Sequence, residues 1–314
     1  PAHPRARACL AGVRPEAARG RGMDGRLLAK LDRVHSFLWK DEVSETYSCT
    51  VPGVHGRVAV KVFIKVNLRG SKEAQVLKDL EHPNLIHLLH VISCKPLCLA
   101  YEMCPGGTLR SLLSWASSKT GDPSSQQPGL TVDHRLQAVA QTVSAVAHLH
   151  KKDIVHSAVR PDNIFLAHPV GHGPEGIVVP QVLLGDVGLS RFLEDEVEQT
   201  PSFGTLNYMA PEVLLRASYG LASDVFSCGV IIHEVLTGIV PYSDLNIASH
   251  ILVLKVCAGL RPNISLLHAC GAAKLQIASI LAFAWDEDVN TRTTSEEFEL
   301  TLFGLIDKRQ KASL

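Results

Sequence analysis

The sequence predicts an α+β protein in which a small β-rich lobe precedes a larger helical one. Three observations carry this. Short β-branched runs cluster early, at Arg57 to Val66 and at Leu97 to Tyr101, with a helical stretch from Ser71 to Leu80 between them. A glycine pair, Gly106-Gly107, then marks a change of pattern. Beyond it the apolar residues recur mostly at helical spacing.

Residues 1 to 25 carry five arginines against Glu16 and Asp24 and are rich in Ala, Pro and Gly, so they read as a disordered basic tail. The first strand, Arg57 to Val66, contains Val58-Ala59-Val60-Lys61, a lysine closing an apolar run, and a buried lysine needs an anionic partner. Twelve residues on, Glu73 opens the amphipathic run that ends near His82-Pro83-Asn84. After the glycine pair, helices are expected at Leu109 to Trp115, Asp133 to His150, Ala222 to Thr237, Ala248 to Ala258 and Ala272 to Trp285. Two polar stretches bearing Gly and Pro, Ser117 to Gly129 and His168 to Pro180, read as surface loops or insertions.

Composition narrows the function classes. The chain has 314 residues, 46% of them hydrophobic, enough for one large domain or two lobes. Lys+Arg and Asp+Glu both number 31, so no net field draws in nucleic acid or an acidic membrane. Eight cysteines lie scattered without a C-x-x-C pair, which predicts a reduced, cytoplasmic setting rather than a zinc ribbon or a disulfide framework. The longest apolar stretch, Val225 to Tyr242, carries His233 and Glu234, so no transmembrane segment is expected. A chain beginning at Pro1 reads as a fragment or a processed product.

The chemistry-bearing motifs come in a fixed order. His156-Ser157-Ala158-Val159-Arg160-Pro161-Asp162-Asn163 is followed by Asp186-Val187-Gly188, then by Gly204 to Glu212, ending Ala210-Pro211-Glu212, and by Ser223 to Gly229. With Lys61 and Glu73 upstream, this series resembles the signature set of the protein kinase superfamily. The resemblance runs from about residue 30 to 305, and Trp285-Asp286 with Arg292-Thr293 resembles the closing motif of the tyrosine-kinase-like branch. It implies a bilobal kinase fold, with an N-lobe over about 26–101, a hinge over 102–107 and a C-lobe over 108–308.

Roles follow from that resemblance. Lys61 matches the lysine that holds the ATP phosphates, and Glu73 the carboxylate that positions it. Asn163 and Asp186 match the two magnesium ligands. Backbone groups of Glu102 and Cys104 match the adenine-binding hinge, with Tyr101 as a large side chain narrowing the back of the pocket. Glu212 with Arg292, and Asp224 with the backbone near His156, match structural pairs.

The departures matter more. Ala158 stands where the family has its catalytic aspartate, and a methyl group neither accepts a proton nor orients a hydroxyl. Arg160 matches a cation that steadies the transferred phosphate, and Asp162 is the carboxylate nearest in sequence that could stand in for the missing base. Ser157 replaces the arginine that receives an activation-segment phosphate, so Thr200, Ser202 and Thr205 would lack that acceptor. Between Gly25 and Gly53 there is no glycine, so the phosphate-covering G-x-G-x-x-G loop is missing. In its place Asp41, Glu42 and Glu45 either repel a polyphosphate or simply face solvent. Val187 replaces the usual Phe.

The expectation is a pseudokinase: a scaffold or conformational switch for protein partners, binding ATP and magnesium weakly or not at all. A low-activity protein Ser/Thr kinase and a nucleotide-independent interaction module are the alternatives.

Overall fold

The computed structural model describes residues 31–64, 69–93, 95–117, 130–173, 176–178, 181–187, 191–192, 206–216 and 219–312. The expected basic tail, Cys9, Cys94, most of the first polar insertion, and Gly188 with Thr200, Ser202, Gly204 and Thr205 lie outside the described residues. The chain forms two compact units. The first runs to Glu81 and resumes over Leu85–Pro105, and the second takes His82–Asn84 and everything from Gly106.

The first unit is an antiparallel five-stranded sheet and one helix. The strands are β1 (Arg33–Lys40), β2 (Ser44–Thr50), β3 (Val58–Phe63), β4 (Leu88–Ile92) and β5 (Cys98–Glu102), in the order β1-β2-β3-β5-β4. Alternation along β3 sends Val58, Val60 and Val62 into a core with Tyr47, Cys49, Val51, Ile92, Cys98 and Ala100. Lys61 therefore emerges on the opposite face, in register with Thr46 and Leu99. Helix α1 (Arg69–Lys78) buries Gly70, Glu73, Val76 and Leu77, one stripe at helical spacing.

The strand expected at Arg57 to Val66 is shorter, and β1, β2 and β4 add to the two expected. Their patterns explain this. In β2 small polar residues, Ser44, Thr46 and Ser48, fill one face, and β1 carries two register irregularities, between Val34 and Ser36 and between Phe37 and Trp39, that break alternation.

The second unit is built on α2 (Leu109–Ser117), α3 (Val132–His150), α4 (Pro211–Arg216), α5 (Leu221–Thr237), α6 (Ser249–Cys257), α7 (Lys274–Ala284) and α8 (Ser295–Ala312). Thr131 starts α3 with a reciprocal cap: its hydroxyl accepts from the His134 amide, and His134 Nδ1 accepts from the Thr131 amide. Helix α5 is buried on almost every side, and Gly238, in the left-handed region at φ 71°, ends it by donating to the Glu234 carbonyl. The stretch ahead of α7 is 3-10 helix over Ile264–Ala273, which displaces the expected start at Ala272 to Lys274. The second polar insertion is not all loop, because Gly171–Gly173 and Gly176–Val178 pair as a short antiparallel hairpin. No helix among the described residues is long and apolar enough to cross a membrane.

Candidate functional site

In the first unit, Lys61 is 8% exposed and Glu73 1% exposed. The Lys61 ammonium donates to both oxygens of Glu73, at 2.8 Å to Oε2 and 3.2 Å to Oε1. The Tyr101 hydroxyl donates to Glu73 Oε1 at 2.7 Å. The anionic partner that a strand lysine requires is thus in place, and helix α1 holds Glu73 inward.

The expected hinge residues are held by their own neighbours. The Glu102 amide donates to the His87 carbonyl at 3.2 Å, and the Glu102 carboxylate accepts from the His87 amide at 2.8 Å. Burial, and then the Glu102 charge, push the Cys104 thiol up to about 12, so it is protonated at neutral pH.

The acidic stretch between β1 and β2 behaves differently from either expectation. Asp41 turns back on the chain: one carboxylate oxygen accepts from the amides of Val43 and Ser44 at 2.7 and 2.6 Å, the other from the Ser44 hydroxyl at 2.8 Å. Backbone N–H groups that a glycine-rich turn would offer to phosphate are here engaged by a carboxylate. Glu45 neither faces solvent nor faces Lys61. It is 3% exposed, pairs with Lys40 at 2.7 Å and accepts from the Tyr47 hydroxyl at 2.6 Å. Its register partner is Val62, so it lies on the sheet face opposite Lys61. Of the three acids, Glu42 alone is exposed.

In the second unit, the loop from His156 to Asn163 is tied at every turn. Asp224 at the start of α5 accepts from the His156 amide at 2.7 Å, the Ser157 amide at 2.9 Å and His150 Nε2 at 3.1 Å. This is the structural role expected of Asp224. His156 Nδ1 accepts from the Ala158 amide at 3.2 Å, which leaves Nε2–H to donate to the Gly185 carbonyl at 3.1 Å. Complete burial lowers the His156 pKa despite Asp224 and Asp186 nearby. Asn163 donates its side-chain amide to the Ala158 carbonyl at 2.8 Å, which turns the amide oxygen away from that carbonyl. The Gly185 amide donates to the Asn163 carbonyl at 2.9 Å and so links the Asn163 turn to the residue before Asp186. Asp186 and Ser157 both sit in the left-handed region, at φ 60° and 66°.

Asp162 is drawn to Arg110 Nε at 3.5 Å. Arg110 also ion-pairs with Glu234 and bonds the Tyr208 hydroxyl, and that hydroxyl donates to Glu234 at 2.6 Å. An oxygen pair from Asn163 and Asp186 suits a hard cation that keeps several waters, and Lys61 suits a phosphate. The 41–44 turn does not suit one, because the Val43 and Ser44 amides already hold the Asp41 carboxylate.

A family model described as the protein kinase domain matches residues 38–300. The chain belongs to the protein kinase family. It is 29% identical over 200 residues to a calcium/calmodulin-dependent protein kinase of Emericella nidulans, covering 61% of this chain and 44% of that one. It is 30% identical over 226 residues to the human calcium/calmodulin-dependent protein kinase type IV, covering 71% and 44%. A mitosis inducer protein kinase of Schizosaccharomyces pombe is 30% identical over 230 residues, 72% of this chain and 26% of that one. The chain therefore spans less than half the length of each of these relatives.

These relatives do not support the tyrosine-kinase-like branch expected from the Trp285-Asp286 and Arg292-Thr293 pairs. The geometry gives those residues general structural work. Arg292 donates to both oxygens of Glu212, at 2.7 and 3.1 Å, and to the carbonyls of Asp286 and Ala222, while the Trp285 ring packs against Gly229. The expected Glu212–Arg292 pair is thus formed in this kinase-family chain. The Arg110 network and the Tyr101 hydroxyl bond were not foreseen. Tyr208 and Glu234 lay in recognised segments, but nothing in spacing alone paired them with Arg110.

Proposed function

We propose that this chain is a pseudokinase: a kinase-family domain that engages protein partners and binds Mg-ATP weakly through Lys61, Asn163 and Asp186, without efficient phosphoryl transfer. The observation that carries the reading is Ala158, whose amide donates to His156 and whose carbonyl accepts from Asn163, while its side chain is a methyl group, 4% exposed. Arg110 engages Asp162, the nearest substitute carboxylate in sequence, so it is ill placed as a base. The Asp41 turn adds to this, because its amides already carry an anion. A cytoplasmic location belongs to this reading and rests on eight scattered cysteines without a C-x-x-C pair.

A low-activity protein Ser/Thr kinase is the second reading, and the relatives favour it over the first. They are named as protein kinases, and phosphoryl transfer depends mainly on positioning and charge, which Lys61, Glu73 and magnesium would still supply.

A thermal-shift titration with ATP, with and without magnesium and with a Lys61→Met control, tests nucleotide binding. Stabilisation that needs magnesium and vanishes in the control supports retained ligands. A flat response removes both readings and leaves a nucleotide-independent interaction module. Transfer of labelled phosphate to a generic protein substrate, abolished by Lys61→Met, would decide for the second reading.

A further inference from the structure

We infer that Tyr101 is a positioning residue for Lys61, acting through Glu73: its hydroxyl latches helix α1 inward whether or not a nucleotide is present. The role assigned to Lys61 rests on the nucleotide reading above, whereas the latch itself rests on geometry within one unit.

Helix α1 has ten residues, below the length at which an isolated helix holds its own shape, so tertiary anchors must place it. Its buried stripe contains one charge, Glu73, between Gly70 and the pair Val76 and Leu77. A carboxylate 1% exposed is costly unless its oxygens are bonded. Oε2 receives the short Lys61 bond at 2.8 Å, but Oε1 receives only the longer one, at 3.2 Å. The Tyr101 hydroxyl supplies Oε1 with its short bond, at 2.7 Å, and Tyr101 is itself only 5% exposed. Its ring is fixed in β5, opposite Ala59 of β3 and Leu88 of β4, so the donor comes from the rigid sheet rather than from a loop.

A ligand shifts a conformational equilibrium only by its differential affinity for the two states. A hydroxyl that already favours the inward helix leaves a nucleotide less to do at this position. The latched helix makes α1 a poor sensor of nucleotide and Lys61 a residue held ready without one.

Hydrogen exchange on the whole chain tests this. In Tyr101→Phe, which keeps the ring and loses one oxygen, amides of α1 should exchange about tenfold faster without ligand, while β3 and β5 amides keep their wild-type rates. In a Glu73→Met background the same substitution should add nothing. Wild-type α1 exchange should be insensitive to Mg-ATP, and Tyr101→Phe should become sensitive. Unchanged α1 exchange in Tyr101→Phe overturns the latch, as does an equal rise in the Glu73→Met background or a rise shared by the strands. If Mg-ATP stabilises neither protein, the nucleotide reading falls, and the ligand-free exchange difference still decides the latch.

Discussion

Asn163 donates its side-chain amide to the carbonyl of Ala158 at 2.8 Å, so the turn at Asn163 is tied back to a residue whose methyl side chain cannot act as a base. A carboxylate at 158 would enter a loop whose backbone is already tied by His156, Asn163 and Asp224. Ala158→Asp is expected to raise phosphoryl transfer to a protein substrate by about 10²–10⁴ over the unsubstituted chain, the range typical of a positioned base. Labelled ATP and a gel readout measure it. An unchanged rate would place the limiting defect in the Asp41 turn, and Asp41→Gly combined with Ala158→Asp would then be the variant to assay.

Arg292 and Glu212 form a bidentate pair whose arginine side chain is fully enclosed. The Glu212 side chain, which accepts both bonds, is 18% exposed. Arg292→Met leaves Glu212 and the carbonyls of Asp286 and Ala222 without their donor. The expected loss is about 3–5 kcal/mol in urea unfolding, and Arg292→Met with Glu212→Met together should lose less than Arg292→Met alone.

Much of this was legible in the sequence because backbone and motif coincide. Lys61 closing an apolar strand demanded an acid, and Glu73 supplies it at the expected helix position. Asp224 and Arg292 were readable for the same reason: each satisfies backbone groups whose positions the fold dictates. The Asp41 turn was not, since a carboxylate among polar residues reads as repulsion until its hydrogen bonds show it capping its own turn. Glu45 was misjudged for a physical reason: alternation in β2 decides its face, and the polar composition of that strand hid the alternation. The Arg110 network joins Arg110 to residues 52 to 124 positions away, and no local pattern encodes such a pairing.

Acid should destabilise the fold through its buried histidines. Burial is the first cause that lowers the pKa of His156 and His233. Unfolded, each titrates near 6.5, so below that value the unfolded chain binds more protons than the folded one. Stability should be flat above about pH 7.5 and fall as pH drops through 6.5 towards the lowered folded values, by up to about 1.4 kcal/mol per pH unit for each histidine. Urea midpoints at pH 7.5 and 5.5 measure this, and His233→Gln should shrink the difference.

Gly106 and Gly107 mark the change of pattern in the sequence, yet the structure needs them for different reasons. Gly106 donates to the Leu166 carbonyl at 3.1 Å, and Gly107 accepts from the Leu166 amide at 2.9 Å. A Cβ at 106 would lie 2.6 Å from Leu166 Cβ and 2.7 Å from the His168 carbonyl carbon, driven against the carbonyl oxygen as well. Backbone cannot step aside cheaply, so Gly106→Ala should lose about 1–3 kcal/mol or somewhat more, as overpacked sites do. At Gly107 the constraint is conformational. Its φ is +79°, and an added Cβ meets only the Ser111 side chain at 2.9 Å, an atom that can rotate away. Gly107→Ala should therefore lose only about 1–2 kcal/mol, the left-handed penalty for an L-residue. Urea unfolding of the two variants distinguishes the causes: Gly107→Asn should recover part of the loss because asparagine tolerates that region, and Gly106→Asn should recover none.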